Sequence, residues 1–501
     1  MQKTNKYQEE IKELKKAVQE EFGGTKTPGL ALGVFKDNQF IYSEGLGLAD
    51  IEKGREVTTD TVFKFGSISK LFTCIGIMQQ YEKGFFKLDD PVNDYLSAGK
   101  LLPRSADWKE VTFRHLLTHT AGIGELRSVT DLTRRGFRLL VYDNEPVPPL
   151  SSLHDLPLRL SAEPGSKFAY SNVGVSLLGY LIEIFSGEDF RDYIKKHILE
   201  PLGMKDSDFL RTPEIAAKEA KGYKYKKEKM MRAKDWINIV KPSGGLWSTI
   251  NDMGRFLECL GNYGQYSGGR LLKKKTFEMI WSPQYWADDF FREHYCLGFI
   301  YWLYNINGKK VIGHTGGVSG FTAALWFIPE EKLGFVVAAN FSELIQSRIT
   351  ERLRNRSIKI FTDMKDDFEP DREPDRRYWP QIKGYYGGYP GWFSNTRLIL
   401  EGMEYKVWER DGHLFLSSLY GPECKGVKLY PTADPMVYHI PKGESGDFFY
   451  NHKLVFAGDY MARDFQRLKK KPLQKTVRFR AAAASLALLG LGVMAVKAGK
   501  K

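Results

Sequence analysis

Two pairs of strand-like runs, far apart in the chain, limit what this sequence can fold into more than any other feature. Near the start, "GLALGVF" and "QFIYSEG" flank the turn residues Lys36, Asp37 and Asn38; much later, "FTAALWFI" and "LGFVVAANF" flank Pro329, Glu330 and Glu331. Each pair reads as a β-hairpin, and "KKVIGHTGG" just before the second pair adds a further strand. From about residue 60 to 300 the pattern changes to helical periods punctuated by Gly and Pro. A lone hairpin is marginal in water. Strands at both ends with helices between them therefore predict one antiparallel sheet built from the two ends and covered by a helical region, an α+β fold.

At 501 residues the chain exceeds one typical core. The first domain is expected to span residues 1–362. The stretch "DMKDDFEPDREPDRRYWP", residues 363–380, is dense in charge and proline and reads as a linker. Beyond it, "TRLILEG", "EYKVWERDGHLFLSS" with Asp411-Gly412 as a hairpin turn, and "KLVFAGD" predict a small all-β domain over residues 381–468, barrel-like in pattern. "GYYGGYPGWF" in that domain reads as turn glycines and core aromatics in preference to a sugar- or peptide-binding aromatic patch. Residues 469–501 form a basic tail containing the apolar run "AAAASLALLGLGVMAV", residues 481–496. As a helix that run reaches about 24 Å, short of a hydrocarbon core of roughly 30 Å, but flanking Arg and Lys can snorkel. A membrane anchor is the favoured reading over a helix docked on protein, with the heavier basic flank keeping the body of the chain cytoplasmic.

The formal charge of +13 does not imply a nucleic-acid partner. Ten Lys and Arg but no Asp or Glu follow Asp464, and removing them leaves +3 for the rest of the chain. A second basic stretch, "KGYKYKKEKMMRAK", is broken by acidic and apolar residues and reads as a solvated loop or helix face. Cys74, Cys259, Cys296 and Cys424 are scattered without a CxxC pair, as expected of reduced thiols in a cytosolic protein. The opening "MQKTNKYQEEIKELKKAVQEEF" has no apolar core and reads as an amphipathic helix rather than a secretory signal. Oligomeric state is not fixed by these features.

Three stretches carry candidate chemistry. In "FGSISKLFT", residues 65–73, Ser67 and Lys70 stand three apart at the head of a predicted helix, so the lysine can reach the hydroxyl. Serine is a poor nucleophile until a base takes its proton, Gly66 allows close approach, and a helix N-terminus favours developing negative charge. The same spacing recurs at Ser97 and Lys100 in the loop-like "NDYLSAGKLLP", so spacing alone assigns nothing. In "PGSKFAYSNVGVSLLGYLIE", Tyr170 and Asn172 straddle Ser171 and can enter one cleft from an extended segment; the second such triplet, Tyr142-Asp143-Asn144, lacks a following apolar helix and is discounted. In "GHTGGVSGF", His314, Thr315, Gly316 and Gly317 close a predicted strand, and the two glycines leave an amide free to face an oxyanion.

These three stretches, in this order and around this helical insert, resemble the serine penicillin-recognising family: class C β-lactamases, D-aminopeptidases and related esterases and peptidases. "VTFRHLLTHTAGIG" and "PSGGLWSTINDMGRF" also look like that family, and the resemblance covers roughly residues 20 to 345. It implies a β-lactamase-like catalytic fold, with a lipocalin-like barrel following it as in some family peptidases. It places the nucleophile on Ser67, its lysine on Lys70, the residue that acts as or shares the general base on Tyr170, and the contact to substrate and lysine on Asn172. The oxyanion amides fall on Ser67 and Gly317. A lysine cation beside Tyr170 would favour the phenolate.

The third motif departs from the Lys-Thr-Gly of most family β-lactamases and carboxypeptidases, reading His314-Thr315-Gly316. A histidine offers no permanent cation to a substrate carboxylate, which resembles the esterase and aminopeptidase branches and counts against efficient β-lactam hydrolysis. The expectation is a serine hydrolase acting on a small ester or short peptide through a Ser67 acyl-enzyme, with no metal or organic cofactor. His115 and His119 have metal-ligand spacing on a predicted helix, but no Glu lies between them and no third ligand motif accompanies them. The alternatives are a β-lactamase or D-Ala-D-Ala carboxypeptidase, and a non-catalytic scaffold with this fold at a membrane.

Overall fold

The two distant hairpins meet in one sheet. The computed structural model describes residues 4–37, 39–124, 140–142, 145–153, 157–226, 228–234, 236–286, 294–302, 309–342, 349–362, 371–387, 404–419, 422–440, 452–463 and 466–477. Helix α1 (Gln8–Gly23) leads into β1 (Gly29–Lys36) and β2 (Gln39–Asp50), and a short strand, β3 (Phe63–Gly66), runs into helix α2 (Ser69–Glu82). After α3 (Asn172–Ser186), β4 (Leu246–Ser248) and α4 (Ile250–Gly261) come β5 (Val311–Val318), β6 (Phe321–Ile328), β7 (Leu333–Ala339) and α5 (Ile349–Phe361). In the main sheet β5, β6, β7, β1 and β2 lie side by side in that order, flanked by shorter strands. Strand β1 pairs antiparallel with β7, Leu30 facing Ala339 and Lys36 facing Leu333. The start of the chain thus sits in the sheet beside residues from much later.

Burial on both faces explains why β1 and β7 read as continuous apolar runs and not as alternation. All of β7, and β1 up to Phe35, is buried. Helix α4 packs on β1 and β7, and α5 on β6 and β7. Helix α1 is tied to α5 by ion pairs from Arg352 to Glu21 and from Arg356 to Glu20, with Leu14, Ala17 and Val18 buried.

The helical region centres on α2, which is buried on nearly every side from Ser69 to Met78, the mark of a core helix. It packs against α3 and the single turn Lys241–Gly244. Residues 221–234 differ from the expected loop or helix face: Tyr223–Lys226 and Lys229–Arg232 pair as a β-hairpin. The alternation Tyr-Lys-Tyr-Lys is a period of two. Tyr223 is buried and its hydroxyl accepts the Ile51 amide at 2.8 Å, while Lys229 and Arg232 on the second strand are exposed. The cysteines are free thiols; burial pushes that of Cys259 up to about 12, the state of an inert structural thiol.

The chain divides into two compact units, Met1–Trp286 with Arg292–Asp366, and Ala287–Phe291 with Asp367–Lys501. In the second unit the strands are β8 (Gly384–Gly387), β9 (Glu404–Arg410), β10 (His413–Ser418), β11 (Val427–Lys428), β12 (Tyr430–Pro431), β13 (Val437–Ile440), β14 (His452–Ala457), β15 (Tyr460–Arg463) and β16 (Gln466–Lys471). Their order is β11-β10-β9-β8-β16-β15-β14-β13-β12. The two edge strands, β11 and β12, are separated in the chain by Leu429 alone, so the sheet has to curl until its edges approach, as in a small barrel. Tyr386, Tyr405, Tyr438, Leu454 and Phe456 fill its interior. Asp411 (φ 49°) and Gly412 (φ 73°) are both left-handed at the β9–β10 turn, as a two-residue primed turn requires. Trp379, at the end of the charged stretch, is buried in this core and donates its indole N–H to the Tyr438 hydroxyl at 3.0 Å. No helix among the described residues is long and apolar enough to cross a membrane. The expected anchor over residues 481–496 and the strand "TRLILEG" lie outside the described residues.

Candidate active site

Strand β3 buries Phe63 and Phe65 and ends at Gly66, whose φ of 52° turns the chain into α2. Ser67 lies in this entry turn, two residues before the first helical residue, and the Lys70 amide donates to its carbonyl at 3.1 Å. The three-residue spacing thus works through a turn, not through a shared helix face. Ser69 fixes the turn: its hydroxyl donates to the Gly66 carbonyl at 2.6 Å and accepts the Leu246 amide of β4 at 2.9 Å.

Lys70 is 1% exposed, and a buried ammonium is tolerable only with acceptors around it. Its Nζ donates to Ser67 Oγ at 3.0 Å, Asn172 Oδ1 at 2.9 Å and the Ser243 carbonyl at 2.6 Å. Three oxygens match the three N–H groups of an ammonium. The Tyr170 hydroxyl donates to the same Ser67 Oγ at 2.8 Å, and Lys70 Nζ stands 4.8 Å from the Tyr170 ring centre. Tyr170 and Asn172 converge because Ser171 between them is extended (φ −135°, ψ 113°) and caps α3, its Oγ accepting the Gly174 amide at 2.9 Å.

The glycines of β5 allow a close backbone approach. A Cβ on Gly316 would fall 1.9 Å from the Phe65 carbonyl oxygen, and one on Gly66 would fall 2.8 Å from the Gly317 amide nitrogen. The Gly317 amide therefore borders the turn that carries Ser67. His314 is buried; its Nδ1 lies 2.5 Å from the Thr315 carbonyl, which can only accept, so the ring proton sits there. Its Nε2 has a longer contact of 3.4 Å to the Tyr295 hydroxyl, and its ring centre is 6.2 Å from that of Tyr170.

The other candidates go elsewhere. Lys100 Nζ donates to the carbonyls of Asn93, at 2.6 Å, and Leu96. Asp143 and Asn144 lie outside the described residues. The helix carrying His115 stops at Leu117, and His119 beyond it has φ 56°, which corrects the reading of the two histidines as one helical pair. His115 Nδ1 accepts the Thr112 amide at 3.2 Å and His119 Nδ1 accepts the Ser171 amide at 3.1 Å; burial holds the His115 imidazole below its usual range. Sequence reasoning missed two features of the site. The Ser243 carbonyl is a backbone group with no residue-type signature, and only the family-like "PSGGLW" pointed to it. The Tyr295 contact to His314 has no motif at all.

A buried lysine and a tyrosine on one serine hydroxyl, beside a glycine amide, define a site of serine-hydrolase type. The β-lactamase family profile matches residues 14–359. A β-lactamase of Yersinia enterocolitica is 30% identical over 347 residues, covering 62% of this chain and 82% of that protein. The putative penicillin-binding protein PbpX of Bacillus subtilis (strain 168) is 27% identical over 252 residues, covering 50% of this chain and 58% of PbpX. The octameric penicillin-binding protein homologue from Pyrococcus abyssi superposes with a TM-score of 0.61 at 27% identity, over 92% of this chain and 100% of that one. The chain belongs to the β-lactamase family.

Proposed function

We propose that this protein hydrolyses an ester or a peptide amide through an acyl-enzyme on Ser67. The observation that carries the reading is the double contact at Ser67 Oγ, with Lys70 Nζ at 3.0 Å and the Tyr170 hydroxyl at 2.8 Å. In the proposed reaction Oγ attacks the substrate carbonyl while its proton passes to the Tyr170–Lys70 pair. As a hydroxyl Tyr170 donates to Oγ and cannot accept its proton; the reacting form is the phenolate, favoured by the nearby Lys70 ammonium, with the contact then running from Ser67 to Tyr170. The developing oxyanion faces the amides of Ser67 and Gly317. The pair returns the proton to the departing alcohol or amine, and water then attacks the ester on Ser67 by the same route, releasing the acid and restoring the serine. Asn172 holds Lys70 in register and offers its amide to substrate.

His314 and Thr315 line this site in the proposal, with Gly316 keeping β5 close to it. With its Nδ1 proton held by the Thr315 carbonyl, His314 brings no fixed cation to a substrate carboxylate, which supports a neutral ester or amide over a β-lactam. β-Lactam hydrolysis is the second reading, favoured by the Yersinia relative that carries that name. The test is turnover of p-nitrophenyl butyrate, a chromogenic cephalosporin and a panel of D- and L-peptide amides by the full chain and its Ser67→Ala variant. Ester or peptide turnover that falls by about 10³-fold or more in the variant supports the proposal. Faster turnover of the cephalosporin than of any ester or peptide moves the second reading to the front. No turnover, together with no fluorophosphonate labelling of Ser67, leaves a non-catalytic scaffold.

A further inference from the structure

We propose that His119 is the positioning residue that keeps the Tyr170 hydroxyl on Ser67, by clamping the backbone on both sides of Tyr170; this rests on the reading of Ser67 and Tyr170 just given. The Ala169 amide donates to the His119 carbonyl at 2.7 Å, and the Ser171 amide donates to His119 Nδ1 at 3.1 Å. In an extended segment the amides of residues two apart point to the same side, so one residue facing that side can take both. A continuing strand would supply the second acceptor from its next carbonyl. Here the chain turns away at His119, whose φ of 56° is uncommon for any residue with a side chain, and the ring nitrogen takes the place of that carbonyl.

The clamp also covers the tyrosine itself. The His119 ring centre lies 4.5 Å from that of Tyr170 at an interplanar angle of 34°, with Tyr295 at 4.9 Å and Phe168 at 5.8 Å completing the packing. Buried to 3% exposure, the ring leaves Tyr170 little room to swing away from Ser67. Accepting from Ser171 requires a lone pair on Nδ1, so the neutral ring carries its proton on Nε2. Tyr170 and Tyr295 are titratable groups packed against the His119 ring; His314 lies beyond them against both, and Lys70 beyond Tyr170. When His119 takes up a second proton, an N–H meets the Ser171 N–H, one of the two clamp bonds is lost, and Tyr170 loses its register.

The test compares kcat and KM for p-nitrophenyl butyrate, across pH, in the full chain and in its His119→Phe and His119→Asn variants. Phenylalanine keeps a ring but removes the acceptor; asparagine keeps an acceptor near the Nδ1 position and tolerates the left-handed backbone. His119→Phe is expected to lose about 100-fold in kcat, the scale of a misplaced catalytic group, with KM changed by less than about threefold. His119→Asn is expected to stay within about fivefold of wild-type kcat at neutral pH and to hold that rate to lower pH, because it no longer titrates. Wild-type kcat in His119→Phe, an equal loss in both variants, or an acid limb in His119→Asn that coincides with wild type would each overturn the proposal. Where His119→Phe fails to fold, the acid limb of His119→Asn decides. Turnover that survives Ser67→Ala would instead overturn the parent reading, which separates the two failures.

Discussion

Ser67 with Lys70 and Ser97 with Lys100 set the same two residue types three apart, thirty positions from each other in the chain. In the first pair the lysine is buried and its ammonium is held by Ser67, Asn172 and the Ser243 carbonyl, which come from three separate parts of the chain. In the second, Ser97 is exposed, Lys100 is half-buried, and the ammonium closes its own loop on the carbonyls of Asn93 and Leu96. Spacing supplies reach in both. Chemistry requires that a base, a second polar side chain and an amide arrive from elsewhere while water is kept out. The first pair stands where α2, α3 and the turn at Ser243 converge; the second is a local device for shaping a loop.

Five substitutions set this contrast to work. Ser67→Ala is expected to cut ester turnover by about 10³-fold or more while Ser97→Ala leaves it unchanged, measured at steady state; comparable losses at both serines would erase the distinction. Lys70→Met is expected to lose about 10²–10⁴-fold in kcat, with circular dichroism reporting that the fold is kept. Gly316→Ala forces a methyl group against the Phe65 carbonyl, so β5 has to move off the entry turn; a loss of about 10²-fold in kcat is expected, together with roughly 1–3 kcal/mol of stability in urea unfolding. Full activity in that variant would remove the Gly317 amide from the proposed oxyanion site. Lys100→Met gives the smallest effect, about 1 kcal/mol of stability from the lost loop contacts, with turnover unaltered.

What could be read from the sequence follows the difference between local and convergent information. The strands of the main sheet announced themselves because burial on both faces leaves no polar alternation, as in "GLALGVF" and "LGFVVAA". The Asp411-Gly412 turn was legible because few residue pairs accept two left-handed positions in succession. Ser67, Lys70, Tyr170 and Asn172 could be nominated because several stretches together resemble one family, whereas each spacing alone recurs elsewhere in the chain. The Ser243 carbonyl could not, since every residue has one. His119 carried a motif but not its meaning: neither its left-handed backbone nor its grip on both sides of Tyr170 follows from residue type. The hairpin at Tyr223–Arg232 was obscured by its lysines, which mask a two-residue period that only the burial of Tyr223 makes plain.

The pairing of β1 with β7 has a consequence for synthesis of the chain. Strand β1 can pair with β2 as soon as the first hairpin emerges, but its other edge is completed only by Leu333–Ala339. At roughly 5–20 residues per second, a ribosome takes about 15–60 s to supply that partner. Throughout that interval an apolar hairpin presents an unpaired edge, the kind of surface on which nascent chains aggregate. The first unit therefore cannot close its sheet vectorially: the edge beside Gly29–Lys36 stays open until Leu333–Ala339 has been made.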